Sequence, residues 1–236
     1  MLVPHFIKND FPFLHQCFVT LLEINGSHAH RLKGLIEKLG ILTLIVTDID
    51  AGKKGEGEKA RVSGVLPAKG DGQVTTNTTL KDWLPKKSEF DTLVELEFNK
   101  KLVEHDPLFA VRVAYQTSVQ KTLSGEAGET VEIYPSTFED SLVLQNLDFF
   151  KKLEGNDLTW KFREALSSAP DWNLVASKLY DGLKKGNKAS FALDVLGGDG
   201  FEDITVPNYI SEGLKWLEEK LRANKSDTLH NESKDG

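Results

Sequence analysis

The 236-residue chain has one cysteine, Cys17, and one methionine, Met1. A single thiol excludes an internal disulfide framework and suits a reducing compartment. No apolar run approaches the roughly 20 residues that cross a bilayer. The opening "MLVPHFIKNDFPF" lacks the basic start and unbroken apolar core of a secretory signal. No membrane association is expected, and the cytoplasm is the expected location. Neither GxGxxG nor GxxxxGK[ST] occurs, so the chain has no phosphate loop of its own for ATP. There is no internal repeat and no long low-complexity stretch. Nor is there an excess of positive charge: the net charge of −7 argues against coating nucleic acid by bulk electrostatics. A site where bound metal supplies the positive charge stays open.

What is present is enough chain for one large domain or two small ones, with a buried core. "CFVTLLEI" (17–24) reads as a buried strand, rich in β-branched and aromatic residues. Asn25-Gly26 make a turn and Ser27 caps a helix with the stripe Leu32, Leu35, Ile36 and Leu39, which Gly40 ends. "ILTLIVTDID" (41–50) then reads as a second strand covered on both faces. Strand, helix and strand with short links make a βαβ unit, so the two strands are expected to be parallel. Ligands of such sheets sit beyond the carboxyl ends of the strands, where Asp48 and Asp50 fall.

Residues 51–82 read as a long loop containing "TTNTTLKDWL", a capped turn into a short helix. A helix is expected over 88–104, strands over 108–116 and 129–135, and a helix over 136–153 with Glu139 and Asp140 in its first turn. From 151 to 225 the pattern is amphipathic helix broken by Pro, Gly and Asp, a helical subdomain. The polar tail 226–236 is expected to be disordered.

Asp48 and Asp50 are the leading candidates for chemistry. On a strand they point the same way, and two carboxylates so close repel unless a cation lies between them. Glu139 and Asp140 are expected to join them, giving the few oxygen ligands that a hard divalent cation such as Mg²⁺ takes. Aspartates at a strand end also cap turns, and the DxD alone leaves both readings standing. Lys188 in "GNKASFAL" either offers a cation to a phosphoryl group or sits in an exposed first turn; by itself the second reading is favoured. His28 and His30 are two apart at a helix start, where side chains diverge, so a shared metal is not expected. Cys17 and the four tryptophans read as core.

Five separated blocks resemble one family in its own order: "LEINGSHAHRLKGLIEKLGILTLIVTDIDA", "TTNTTLKDWL", "YPSTFEDSLVLQN", "NKASFALDVL" and "VPNYISEGLKWLEEKL". Together they look like the C-terminal region of the overcoming-lysogenization-defect (OLD) family of ATP-dependent endonucleases. That resemblance implies an α/β fold of TOPRIM type, a Rossmann-like, mainly parallel sheet with helices, over 1–150, followed by the helical subdomain. It implies cleavage or nicking of DNA with Mg²⁺ or Mn²⁺ at a two-metal site. Asp48 and Asp50 match the family's DxD, Glu139 with Asp140 beside it matches the acidic position after the aromatic of "TFED", and Lys188 matches a lysine expected to stabilise the transition state.

TOPRIM nucleases open with a strand bearing a Glu-Gly element whose glutamates complete the metal site. Here "MLVPHFIKN" resembles the helix that follows it, so that strand, its glutamates and the family's ATP-binding N-terminal ATPase domain are expected to lie outside this chain, which would leave at least one metal short of ligands and puts the activity of the chain by itself in question. DNA and that ATPase domain are the implied partners, with homodimerisation in the full-length protein. Glu23 falls in the second strand by the family's order and receives no catalytic role. Two rival readings remain. "IVTDIDAG" also resembles the strand and DxD of haloacid-dehalogenase phosphatases, though Gly52 stands where they carry Thr or Val. The other is a non-catalytic module that binds DNA or dimerises.

Overall fold

The computed structural model describes residues 2–24, 27–55, 61–106, 109–122 and 130–232. The chain enters through α1 (Leu2–Asp10) and α2 (Pro12–His15), with Leu2, Phe6, Ile7 and Leu14 turned inward. Segment 17–24 departs from expectation. It is irregular, Phe18 is 99% exposed, and Leu21, Leu22 and Ile24 are exposed as well. Strand propensity is realised only against a neighbour, and among the described residues no strand pairs with this segment. The turn at Asn25-Gly26 lies outside the described residues.

The predicted helix forms later and shorter than its cap signal suggests. A 3₁₀ turn over Ala29–Leu32 leads into α3 (Lys33–Leu39), which Gly40 closes with φ +60°, the left-handed conformation that favours glycine. β1 (Thr43–Val46) is four residues long and ends before the DxD. The span expected to be loop contains a small antiparallel sheet of β2 (Ala51–Lys54), β3 (Val62–Gly64) and β4 (Val74–Thr75), in the order β3-β2-β4. The capped turn is present: Asn77 accepts from the backbone N–H groups of Thr79 and Leu80 at the head of α4 (Thr78–Asp82).

The helix predicted over 88–104 stops early. α5 (Phe90–Glu95) gives way to a 3₁₀ turn and to β5 (Leu102–Glu104), because Leu102, Val103 and Glu104 pair antiparallel with β6 (Ala110–Ala114). β1 pairs with β6 in parallel, Thr43 opposite Val111 through Val46 opposite Ala114. The resulting sheet, β1-β6-β5, is therefore mixed; the parallel character expected of it resides in one pair, and the parallel partner of β1 is β6, not segment 17–24. β7 (Val119–Thr122) and β8 (Thr130–Ile133) form a separate antiparallel pair.

Helices follow: α6 (Phe138–Gln145), α7 (Leu147–Lys152), α8 (Leu158–Ser168), α9 (Trp172–Leu183), α10 (Lys188–Leu196) and α11 (Asn208–Glu232). The single helix expected over 136–153 breaks at Asn146, whose side chain donates to the carbonyls of Leu142 and Thr205 and accepts from Thr205 N–H. α11 continues to Glu232, past residue 225 where the polar tail was expected to begin.

Side chains alternate across β6. Val111, Val113 and the following Tyr115 enter a smaller core with Ile45, Leu80, Phe90 and Leu93, whereas Ala114 enters a larger one. That larger core joins α1 and α2 to the helices from α6 to α11. α11 lies on β1 and β6 with Gly213 at the contact, where a Cβ would stand 2.9 Å from Leu44 and 3.3 Å from Ala114.

Arg112 is the exception on β6, a charge 1% exposed. Its Nη2 lies 3.6 Å from Glu212 and its guanidinium stacks 3.5 Å above the Phe98 ring, while Nε and Nη1 have no partner among the described residues. Burial lowers its pKa to about 10 against the pull of Glu212. Replacing a buried, half-satisfied charge by an apolar residue is often neutral or stabilising, whereas removing the counter-charge strands it. Arg112→Met is therefore expected to leave the urea midpoint unchanged or raised. Glu212→Ala is expected to lower stability by about 1 kcal/mol, less than for an enclosed pair because Glu212 is half in water.

Candidate active site

β1 delivers the chain at its carboxyl end into a tight loop, Thr47–Asp50. The DxD lies in that loop and not on a strand: Asp50 takes φ +50°, a left-handed conformation that aspartate tolerates better than most residues. Strand alternation therefore does not set the directions of the two carboxylates; the loop's own bonds do. Asn77 donates to Thr47 Oγ1 and to the Asp48 carbonyl, each at 2.7 Å, while its oxygen caps α4. Thr76 N–H donates to the Asp50 carbonyl at 2.8 Å. Gln116, just past β6, accepts from Ile49 N–H and donates to Asp48 Oδ1.

Opposite this loop stand the first turns of α6 and α10. Asp48, Asp50, Glu139 and Lys188 line one cavity of about 470 Å³, with Phe191 and Tyr209 in its wall. Lys188 Nζ lies 2.9 Å from Glu139 Oε2. Four charges drawn from three regions of the chain thus share one pocket. A larger cleft of about 1040 Å³ between α7 and α10 holds none of them.

Electrostatics follow from the burial. Desolvation is the main reason that Asp48 is pushed up to about 7; Glu139 and Asp50 add to it, while Lys188 and the Gln116 hydrogen bond oppose it. Burial likewise raises Asp50, against the pull of Lys188. For Lys188 burial disfavours the charge, but Glu139 and Asp48 outweigh it and hold the ammonium above its ordinary range. Tyr209 is fully enclosed, and burial together with the nearby carboxylates keeps its phenol protonated.

Asp140, expected beside Glu139 as a metal ligand, is engaged at the start of α6. Its two oxygens accept from Ser136 N–H at 2.8 Å, Thr137 N–H at 2.7 Å and Thr137 Oγ1 at 3.0 Å, and Thr137 completes a capping box at the start of α6. It therefore holds the helix end that presents Glu139. Among the described residues no three His, Cys, Asp or Glu side chains converge into a preformed metal cluster. The donor set of Asp48, Asp50 and Glu139 nevertheless fits a hard divalent ion. It consists of oxygen only, Asp48 is desolvated, and the positive charge now among these acids comes from Lys188.

Sequence reasoning missed Gln116 and Tyr209. The signal available for Gln116 is its place: a polar residue closing the apolar strand "LFAVRVAYQ".

No helix among the described residues is long and apolar enough to cross a membrane. Residues 1–50, a stretch ending on Asp50, match the family described as overcoming lysogenization defect protein-like, TOPRIM domain. Over 218 residues, 88% of this chain, the sequence is 27% identical to "Endonuclease GajA" of Bacillus cereus (strain HuB5-5). That stretch is 28% of the relative, so the chain spans little more than a quarter of its length. No solved structure matches. The blocks that resemble an OLD-family TOPRIM region in the sequence thus belong to a chain whose first 50 residues match the OLD-like TOPRIM domain and most of whose length is homologous to an endonuclease.

Proposed function

We propose that this chain is the nuclease core of a DNA endonuclease and that it hydrolyses phosphodiester bonds with a divalent metal, Mg²⁺ or Mn²⁺. The observation that carries this reading is the gathering of Asp48, Asp50, Glu139 and Lys188 around one cavity, in a chain similar to an endonuclease. When bound, such an ion supplies Lewis acidity and a water activated near neutral pH. Asp48, Asp50 and Glu139 would hold it. Lys188, on the rim, brings positive charge to the phosphate and offsets the carboxylates when no substrate is present. Asp140 contributes through α6, by keeping Glu139 in place. In the longer protein the same core would work beside an ATPase domain, in a dimer, with ATP acting there.

The reading is tested by nicking of supercoiled plasmid with Mn²⁺, with Mg²⁺ and with EDTA. Wild-type protein is expected to nick only with metal. Lys188→Met is expected to lower the rate by about 10- to 100-fold while Mn²⁺ still binds, because it removes charge from the phosphate and not from the ion. Nicking that persists in EDTA, or is indifferent to both Lys188→Met and Glu139→Gln, would falsify the proposal.

A further inference from the structure

We infer that Gln116 is a positioning residue: its amide fixes the orientation of the Asp48 carboxylate and thereby sets the site's affinity for a divalent cation. This rests on the metal-site reading above and extends it to a residue that carries no charge. Gln116 is 1% exposed, so its amide has to find its partners inside the protein. Oε1 accepts from Ile49 N–H at 2.7 Å. A backbone N–H can only donate, so the carbonyl must face it and the NH₂ must point the other way; the amide has one orientation. Nε2 then lies 2.6 Å from Asp48 Oδ1 and 3.4 Å from Tyr209 Oη.

The two bonds reach consecutive residues of the loop, one on its backbone and one on the side chain that faces the cavity. Asn77 and Thr75 hold the loop differently, since Asn77 takes Thr47 Oγ1 and the Asp48 carbonyl, and Thr75 Oγ1 donates to the Ile49 carbonyl at 2.5 Å. Among the described residues, the hydrogen bond that restrains the Asp48 carboxylate comes from Gln116. A neutral amide suits this task. Lysine or arginine in its place would neutralise the charge a cation needs, whereas a neutral amide holds one oxygen and leaves the other for the cavity without adding a counter-charge. Outer partners of this kind are typically worth about 10- to 100-fold in metal affinity.

The test is Mn²⁺ binding by calorimetry, with thermal unfolding alongside, on the full chain and four variants. Gln116→Leu is expected to weaken Mn²⁺ binding about tenfold, and Gln116→Asn, too short to span both partners, to weaken it less. Thr75→Val removes a bond to the same loop's backbone but leaves the carboxylate restrained. It is expected to lower the melting temperature and to hold Mn²⁺ affinity within about threefold. Wild-type affinity in either folded Gln116 variant overturns the inference, and the Asn variant decides should the Leu variant not fold. An equal loss in Thr75→Val also overturns it, because Gln116 would then act only by holding the loop. The parent reading fails separately, if Asp48→Asn binds Mn²⁺ as tightly as wild type or wild type binds none.

Discussion

Asp48→Asn is expected to reduce metal-dependent nicking by more than about 100-fold while making the metal-free protein more stable at pH 8. The first effect follows from position. Loss of a residue that merely orients a ligand already costs about 10- to 100-fold in many metal sites, so loss of the ligand's own charge should exceed that. The second follows from proton linkage. Burial raises Asp48 from 3.8 to about 7, so between those values the native state keeps a proton that the unfolded chain has released. Stability then falls as pH rises through that window, and the penalty is complete above about pH 7 and absent below about pH 4. From 3.8 to about 7 corresponds to at most about 4 kcal/mol, and water reaching the half-buried carboxyl brings it to on the order of 2 kcal/mol. Asparagine carries no such charge. Urea unfolding in EDTA at pH 4.5 and pH 8 should therefore show the variant's advantage growing with pH. An advantage that is equal at both pH values would mean that Asp48 is not held neutral by burial, and unchanged nicking would remove it from the site.

The same residue shows which parts of such a site can be read from sequence. Asp48 and Asp50 stand out because a short apolar run leads straight into them, and that pattern is local. Their setting is not. The strand stops at Val46, Asp50 turns left-handed, and the loop is held by Asn77 and Gln116, tens of residues away. Capping at Asn77 was legible because it lies within three residues of the groups it serves. The box Thr137-x-x-Asp140 carries a similar local signal, placing Asp140 at the helix start. Segment 17–24 failed for the opposite reason. Its composition suits a strand, but a strand needs a neighbour, and composition does not reveal whether one is there. Lys188 reads as an ordinary first-turn lysine, and only the family resemblance singled it out. Its ion pair with Glu139 spans 49 residues of sequence.

Phe191→Ala is expected to cost about 3–5 kcal/mol, a large part of the stability of a chain this size. Phe191 is 1% exposed, lies parallel to Phe150 with ring centroids 5.7 Å apart, and meets the Phe162 ring edge-on at 5.5 Å. Removing it leaves a cavity and dissolves two aromatic contacts at once. The consequence reaches the site because Phe191 lies one helical turn beyond Lys188 on α10, and its ring is what seats that turn against α7 and α8. Phe191→Leu, which keeps most of the volume, is expected to cost about 1–2 kcal/mol and to preserve nicking under conditions where it stays folded. The Ala variant, assayed where it too is folded, should lose nicking in proportion to the looseness of α10. A loss under about 1 kcal/mol on Phe191→Ala would show that α10 is not anchored through this ring, and the place of Lys188 beside the acids would then rest on its bond to Glu139 alone.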